Sequence, residues 1–106
     1  MEKILVVEDD HKTNEAIAEY LESLNYCVTS VYNGEEVCKI LADENYGLII
    51  LDIMLPGMDG FAICREMRRT SMVPILFLTA RSSERDILLG YDLGCDDYII
   101  KPFSLV

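Results

Sequence analysis

The sequence lacks the features that mark membrane, secreted and zinc-binding proteins. No apolar run approaches the ~20 residues of a membrane-spanning helix, and the apolar run 4–7 is too short for a signal peptide. No Cys-x-x-Cys pair occurs, and the only histidine, His11, is distant in sequence from every cysteine. We therefore expect a soluble, cytoplasmic domain without membrane contact, whose four cysteines are reduced thiols that serve as small apolar side chains.

Basic residues are also scarce. The chain has 9 Lys and Arg against 19 Asp and Glu, which gives a formal charge of −10. Nucleic acids and anionic membranes select basic surfaces, so we do not expect this domain to bind either one. With 106 residues, 51% of them hydrophobic, the chain is the size of one globular domain with a single core.

Short apolar runs alternate with segments of helical periodicity along the chain. Five of these runs are predicted strands: 4–7, 27–32, 48–51, 74–78 and 98–100. Apolar residues three and four positions apart, such as Ile17, Leu21 and Leu24, predict a helix after each of the first four strands. Such regular alternation predicts an α/β fold in which helices cover both faces of a parallel sheet.

Polar residues mark the expected starts of two helices. Asn33 is the expected N-cap of the second helix, and Ser83 is the expected N-cap of the fourth. The fourth helix is predicted to pack through an apolar face made of Ile87, Leu88 and Tyr91.

Charged and hydroxyl side chains follow four of the predicted strands. They are Glu8 and Asp9 after the first strand, Asp52 after the third, Thr79 after the fourth and Lys101 after the fifth. Open parallel sheets bind ligands at the carboxyl ends of their strands, so we expect these groups to converge on one edge. Asp10 is expected to cap the first helix instead.

Clustered carboxylates repel one another and need a cation between them. Mg²⁺ prefers hard oxygen ligands and suits a site with few carboxylates and several waters. Beside such an ion, Asp52 would be a nucleophile that attacks phosphorus and forms an acyl phosphate. The Lys101 ammonium would neutralise the charge on the phosphoryl oxygens. The strand ends therefore predict a Mg²⁺-dependent site that accepts a phosphoryl group.

Four blocks of the sequence carry a resemblance to a known family. They are residues 4–10 (ILVVEDD), 51–60 (LDIMLPGMDG), 78–81 (LTAR) and 96–103 (DDYIIKPF). In this order and spacing they resemble the receiver domain of bacterial two-component response regulators, and the resemblance covers the whole chain. It implies a flavodoxin-like three-layer fold whose five-stranded parallel sheet has the order 2-1-3-4-5.

The resemblance implies a role for each residue that matches the family pattern. Asp52 matches the phosphoacceptor, which receives a phosphoryl group from a sensor histidine kinase. Asp9 and Asp52 match direct Mg²⁺ ligands, the backbone carbonyl of Met54 matches a third ligand, and Glu8 matches a residue that acts through water.

The resemblance also implies a phosphate-binding set and a switch. Thr79, Ala80 and Lys101 match the positions that bind the phosphoryl oxygens. Thr79 matches the switch hydroxyl as well, and Tyr98 matches the aromatic residue that turns inward behind it. By resemblance the Lys101–Pro102 peptide bond is cis. Phosphorylation is a local change that needs a bistable element to be read at a distance, here the fourth helix and fifth strand.

Residues 94–103 resemble most the winged-helix transcription-factor subclass. In that subclass the fourth helix, fifth strand and fifth helix form the face of a homodimer. Ser104-Leu105-Val106 looks like the start of the fifth helix, so we expect residues 1–106 to be a receiver domain that lacks most of it. We also expect the parent protein to carry a DNA-binding effector domain after residue 106.

Three other functions are open at this point. A flavin- or nucleotide-binding module would need a Gly- or Ser/Thr-rich loop after the first strand, where the acidic run 8–10 stands instead. An aspartate-based phosphatase usually places an Asp-x-Asp nucleophile after that strand, and this chain has none there. A degenerate receiver that serves only as a binding scaffold would not need the complete set of acceptor residues. We therefore favour the receiver interpretation. It predicts a signalling domain that accepts a phosphoryl group, not an enzyme with multiple turnover.

Overall fold

The structure, a computed structural model, describes residues 2–101. The strands are β1 (Lys3–Val7), β2 (Cys27–Val31), β3 (Leu48–Leu51), β4 (Ile75–Thr79) and β5 (Asp97–Ile100). The helices are α1 (His11–Ser23), α2 (Val37–Asp43), α3 (Gly60–Met67) and α4 (Glu84–Asp92), with a 3₁₀ turn over Gly34–Glu36 before α2. All five predicted strands and four predicted helices are confirmed. The Lys101–Pro102 bond and the expected start of a fifth helix lie outside the described residues.

All five strands are parallel and form one sheet in the order β2-β1-β3-β4-β5. Val7, at the end of β1, pairs with Val31 of β2 on one side and Leu51 of β3 on the other. This register places the carboxyl ends of the three strands side by side. The predicted flavodoxin-like sheet order is confirmed, and the right-handed crossovers of such a fold place helices on both faces.

Both faces of the sheet are covered by apolar contacts. One face packs against α2 and α3 through a core that includes Leu5, Leu51, Phe77, Val37 and Ile63. The opposite face packs against α1 through Ile4, Val6, Ile17, Ile50 and Leu78. The central strands are therefore buried on both sides, which explains their continuous apolar runs in the sequence.

Side-chain caps begin the helices at the predicted positions. Asp10 Oδ2 accepts the Thr13 N–H at 3.2 Å and caps α1. Ser83 Oγ accepts the Asp86 N–H at 3.1 Å and caps α4. The Asn33 side chain accepts an N–H in the same way at the 3₁₀ turn before α2, rather than in α2 itself. Each cap satisfies a backbone donor that the helix leaves unpaired.

The predicted apolar face of α4 is wrong in part. Leu88 is 60% exposed and Tyr91 46% exposed, while Gly90 is the buried residue of the helix. A Cβ atom at Gly90 would lie 3.0 Å from Cδ2 of the Tyr98 ring, so the helix backbone itself packs against that ring. A count of apolar side chains misses this contact because glycine contributes none.

The four cysteines are free thiols, as expected, but only two of them serve as core residues. Cys64 and Cys95 are buried, whereas Cys27 and Cys38 are exposed. Cys27 begins the edge strand β2, where a strand has a neighbour on one side only. Within residues 2–101, no helix is both long and apolar enough to cross a membrane.

Candidate functional site

The polar residues that follow the strands meet at the carboxyl edge of the sheet. Backbone hydrogen bonds continue the ladder by one residue: Glu8 N–H donates to Val31 O at 3.0 Å, and Asp52 N–H donates to Val7 O at 3.0 Å. These bonds place the two carboxylates on neighbouring strands, at the same level. The predicted convergence is confirmed for Glu8 and Asp52.

Lys101 joins this pair from the far strand. Its backbone N–H donates to Thr79 O at 2.8 Å, which holds it against the end of β4. Its Nζ donates to Asp52 Oδ2 at 2.9 Å and to Glu8 Oε1. One ammonium thus bridges two carboxylates that come from strands at the centre of the sheet.

The acidic cluster consists of Glu8, Asp9 and Asp52. One carboxylate oxygen from each lies within 4.8 Å of the others. Glu8 and Asp52 are 3% and 5% exposed, whereas Asp9 is exposed to solvent. The cluster therefore combines two buried carboxylates with one that is accessible to solvent.

The buried carboxylates have unusual electrostatics. The pKa of Glu8 is raised to about 7, chiefly by burial and also by the neighbouring Asp52 charge, although hydrogen bonds from Lys101 and Asp10 act to lower it. Burial lowers the pKa of Lys101, but its hydrogen bonds to Glu8 and Asp52 outweigh that effect and raise it overall. The cluster has more negative charge than one ammonium neutralises, which favours a further cation.

Asp52 is also held from the loop that follows it. Met54 N–H donates to Asp52 Oδ1 at 3.0 Å, so each carboxylate oxygen of Asp52 has one donor. The Met54 side chain is 59% exposed beside a cleft of about 520 Å³ that also contacts Arg81. A Cβ atom at Gly60 would lie 2.5 Å from Asp52 O, so only glycine lets α3 begin this close to the Asp52 backbone.

Thr79 and Tyr98 are linked through Arg81. Thr79 is fully buried, and its Oγ1 accepts the Arg81 N–H at 3.3 Å. The Tyr98 hydroxyl donates to Arg81 O at 2.7 Å, and its ring packs 5.9 Å from the Phe77 ring, measured between centroids. Ala80 is exposed between Thr79 and Arg81. The two predicted switch residues thus bind opposite ends of one residue in the β4–α4 loop.

Sequence patterns did not predict the contacts of Asn14 or the ion pairs of Arg81. Asn14 is fully buried and donates hydrogen bonds to carbonyls at the ends of β1 and β2. Arg81 forms ion pairs with Asp59 at 3.6 Å and Asp86 at 2.7 Å. The signal for Asn14 was present, because it lies three residues before Ile17 on the apolar face of α1. The ion pairs of Arg81 could not be predicted from a local pattern, because Asp59 is distant in sequence and no spacing rule pairs Arg81 with Asp86.

An open parallel sheet with an acidic cluster and a lysine at its carboxyl edge defines the class of the protein. The model of the response regulator receiver domain family matches residues 4–106. The chain belongs to this family and is the receiver domain of a two-component response regulator.

Individual relatives agree with this assignment. The transcriptional regulatory protein ResD of Bacillus subtilis is 43% identical over 102 residues, and BaeR of Escherichia coli is 44% identical over 102 residues. Each alignment covers 96% of this chain and 42% of the relative. A two-component response regulator from Clostridium difficile has a similar structure, with a TM-score of 0.96 at 31% identity over 99% of this chain and 87% of that one. The chain thus spans less than half the length of the two regulators.

Proposed function

We propose that this receiver domain accepts a phosphoryl group on Asp52. The observation that carries the proposal is the arrangement of Asp52 itself, a buried carboxylate within 4.8 Å of two other carboxylates and 2.9 Å from the Lys101 ammonium. A structural salt bridge would need one carboxylate for one ammonium, whereas this cluster supplies three. The excess of oxygen ligands supports a site that takes a cation and then an anion.

The donor set fits Mg²⁺. All the candidate ligands are oxygen atoms, which Mg²⁺ prefers. The Lys101 ammonium, which is itself a cation, already bonds to both Glu8 and Asp52. In the proposed site Asp9, Asp52 and the backbone carbonyl of Met54 would hold the ion, with Glu8 acting through water. When bound, Mg²⁺ would supply positive charge that neutralises the phosphoryl oxygens during transfer.

The proposed reaction is a single displacement at phosphorus. A carboxylate oxygen of Asp52 forms a bond to phosphorus while the bond from phosphorus to the histidine nitrogen of the kinase breaks, and that nitrogen keeps the electron pair. Lys101, the Thr79 hydroxyl and the Ala80 N–H bind the phosphoryl oxygens. The domain is not a turnover enzyme in this proposal, since its own chemistry is limited to gaining and hydrolysing the acyl phosphate.

The proposed switch starts from the contacts of Thr79 and Tyr98. A phosphoryl group on Asp52 would compete for the Thr79 hydroxyl, which now bonds to Arg81 N–H. Movement of Thr79 would release the Tyr98 hydroxyl from Arg81 O and let the ring, which already packs against Phe77, turn further inward. The exposed face of α4 and β5, which includes Leu88 and Ile99, would then change.

The partners proposed for the whole protein follow from the family and from the two relatives. A sensor histidine kinase would donate the phosphoryl group. A winged-helix effector domain after residue 106 would bind DNA, which agrees with the names of the transcriptional regulatory proteins ResD and BaeR. A homodimer would form through α4, β5 and a fifth helix.

Intact mass spectrometry tests the proposal directly. The protein is incubated with Mg²⁺ and acetyl phosphate, with EDTA in a parallel sample. We expect a gain of one phosphoryl group that requires Mg²⁺ and is absent from Asp52→Asn. Asp59→Asn is the matched control, because it removes a carboxylate from the same loop and keeps a side chain that caps α3.

Two outcomes would contradict the proposal. A phosphoryl gain that persists in Asp52→Asn would place the acceptor elsewhere. No gain in a folded wild-type sample, with acetyl phosphate and also with a phosphorylated histidine kinase, would exclude acceptor chemistry. Turnover of many equivalents of a phosphomonoester would instead favour a phosphatase.

A further inference from the structure

Asn14 is a buried polar residue to which the proposed chemistry assigns no part. Its side chain is 0% exposed, on the face of α1 that packs against the sheet. Its Nδ2 donates to Glu8 O at 3.0 Å and to Val31 O at 3.1 Å, with Val6 O at 3.4 Å. The Asn14 amide therefore supplies hydrogen bonds where the ladder between β1 and β2 comes to its end.

The orientation of this amide is determined by its neighbours. All three groups around Nδ2 are carbonyl oxygens, which accept hydrogen bonds and would repel the Asn14 oxygen. Oδ1 consequently points the other way, where it is buried and finds no hydrogen-bond partner among residues 2–101. Burying an unpaired acceptor lowers stability. Core packing alone therefore does not account for asparagine at this position.

The carbonyl that Asn14 holds lies between two members of the acidic cluster. Glu8 O belongs to the peptide group that joins Glu8 to Asp9, and this group is planar. A hydrogen bond to the oxygen therefore fixes the plane in which the Asp9 backbone begins. The other peptide group of Glu8 is held by its N–H bond to Val31 O at 3.0 Å.

The same restraint directs the Glu8 carboxylate. With both adjoining peptide groups held, the side chain leaves the backbone in a fixed direction. Its Oε2 accepts the Asp10 N–H at 3.2 Å, and its Oε1 accepts from Lys101. Asn14 thus restrains the backbone that carries two of the three carboxylates, without contacting any carboxylate oxygen itself.

We propose that Asn14 is a positioning residue for the acidic cluster. Its side-chain amide holds the Glu8–Asp9 peptide group in the orientation that lets the two carboxylates face the same divalent cation. This inference rests on the proposed function for its metal-binding part, and it also makes a prediction about the metal-free protein.

The first test is Mg²⁺ binding by calorimetry in Asn14→Leu, an apolar side chain of similar size. We expect the dissociation constant to rise about tenfold or more, in the range seen when residues that orient metal ligands are lost. Ile17→Val and Ile17→Ala are the matched controls. Ile17 is 2% exposed on the same helix, one turn further along, and belongs to the apolar cluster between α1 and the sheet. These variants should destabilise the protein while leaving the Mg²⁺ dissociation constant within about twofold of the wild type.

The second test uses the metal-free protein and two-dimensional NMR. In Asn14→Leu we expect shifted Asp9 and Asp10 amide resonances and faster hydrogen exchange at both, with neither change in the Ile17 variants. If Asn14→Leu does not fold, Asn14→Ser provides the same comparison, since it keeps a donor but cannot reach Glu8 O.

The outcomes separate the two proposals. If the wild type binds Mg²⁺ and the folded Asn14 variant binds it equally well, the positioning role is wrong. An equal loss of affinity in the Ile17 variants would reduce the effect to general stability and also overturn it. If the wild type binds no Mg²⁺, the proposed function fails, and unchanged Asp9 and Asp10 amides would then overturn the positioning role independently.

Discussion

The Lys101 ammonium forms ion pairs with two buried carboxylates at the carboxyl edge of this sheet. Lys101 Nζ contacts both Glu8 and Asp52, and its side chain is 24% exposed. In the metal-free protein this ammonium reduces the repulsion between the two carboxylates, but it also lies where a divalent cation would be attracted. Lys101 is therefore expected to oppose the binding of Mg²⁺ and to assist the transfer of a phosphoryl group.

Replacing Lys101 by alanine separates these two effects. Lys101→Ala should bind Mg²⁺ more tightly than the wild type, because a competing positive charge is removed. It should accept phosphoryl from acetyl phosphate about 100-fold more slowly, because a group that neutralises the phosphoryl oxygens is lost. Calorimetry and time-resolved intact mass measure the two quantities.

Lys3→Ala is the matched control for this variant. The Lys3 ammonium pairs with Glu44 at 2.9 Å, but on the exposed surface, so its removal should change neither quantity. A Lys101→Ala protein that accepts phosphoryl at the wild-type rate would contradict the role given to the ammonium.

Glu8 should make the stability of the metal-free protein depend on pH. Its folded pKa of about 7 exceeds its ordinary value of 4.5, chiefly because it is buried. Between these values the unfolded chain has released the proton that the folded protein still holds, so the free energy of unfolding falls as pH rises. We expect a loss on the order of 2 kcal/mol across this window. Urea unfolding in EDTA from pH 4.5 to 7.5 measures it.

The contribution of Glu8 is the difference between the wild type and Glu8→Gln. The variant carries no titrating group at this position, so its stability should decline less over the same pH window. Identical pH profiles would mean that burial does not raise the pKa of Glu8 in solution.

At the scale of elements, Arg81 joins the beginnings of two helices. Its guanidinium pairs with Asp59, the N-cap of α3, and with Asp86 in the first turn of α4. It also lies over the Phe61 ring, with 5.1 Å between the guanidinium carbon and the ring centroid. The β4–α4 loop is therefore bound to the loop that follows Asp52, through one side chain.

Removing this side chain should loosen the loop more than it destabilises the protein. The Arg81 side chain is 34% exposed, so Arg81→Ala is expected to lower the free energy of unfolding by only about 1 kcal/mol. Amide hydrogen exchange over residues 80–83 should nevertheless become faster, because both ion pairs that restrain the loop are lost. Mass-detected hydrogen exchange measures the effect.

Arg69→Ala provides the comparison for the Arg81 variant. Arg69, in the turn after α3, pairs with Glu66 near the end of that helix and is 72% exposed, so its loss should leave exchange at 80–83 unchanged. Equal protection of this loop in Arg81→Ala and the wild type would show that the bridge does not restrain it.

At the scale of the whole molecule, the two-sided core divides the four cysteines into two pairs. Cys64 and Cys95 belong to the core on the α2–α3 face, and burial raises the pKa of both thiols, that of Cys95 to about 11. Cys27 and Cys38 are exposed. Thiolates are the reactive form, so burial protects the first pair both by access and by protonation.

A thiol reagent should therefore react rapidly with two of the four cysteines in the folded protein. Treatment with iodoacetamide at pH 8 is expected to modify Cys27 and Cys38 rapidly and the other two only as fast as the protein unfolds. Intact mass against time measures the two phases, and the rapid phase should vanish in a Cys27→Ser, Cys38→Ser double variant. Four thiols reacting together in native buffer would contradict the arrangement of the core.

Much of the fold can be predicted from the sequence, because local patterns mark each strand and helix of a parallel sheet. The apolar runs at 4–7 and 48–51 predict buried strands, and the structure has strands there. The charged and hydroxyl side chains after four of the strands predict the edge where a ligand binds, since parallel strands all end on the same side. Helix caps such as Ser83 can also be predicted, because a cap acts within one helical turn.

The packing of α4 and the hydrogen bonds of Asn14 could not be predicted in this way. Gly90 contacts the Tyr98 ring from a position without a side chain, and Asn14 bonds to carbonyls on two different strands. Each contact joins segments whose distance is set only when the sheet has formed. Periodicity along one element carries no information about the atoms that another element brings to it.

Local patterns in the amino-acid sequence specify the order of strands and helices and the polar residues at the strand ends. Tertiary structure decided which of those groups touch: Lys101 lies against Glu8 and Asp52, whereas Thr79 and Tyr98 lie against Arg81. These interactions differ in the distance along the chain over which they act. Propensity, capping and hydrophobic period act over a few residues, while a bridge from Lys101 to Glu8 exists only after four crossovers have aligned β1 with β5 in one sheet.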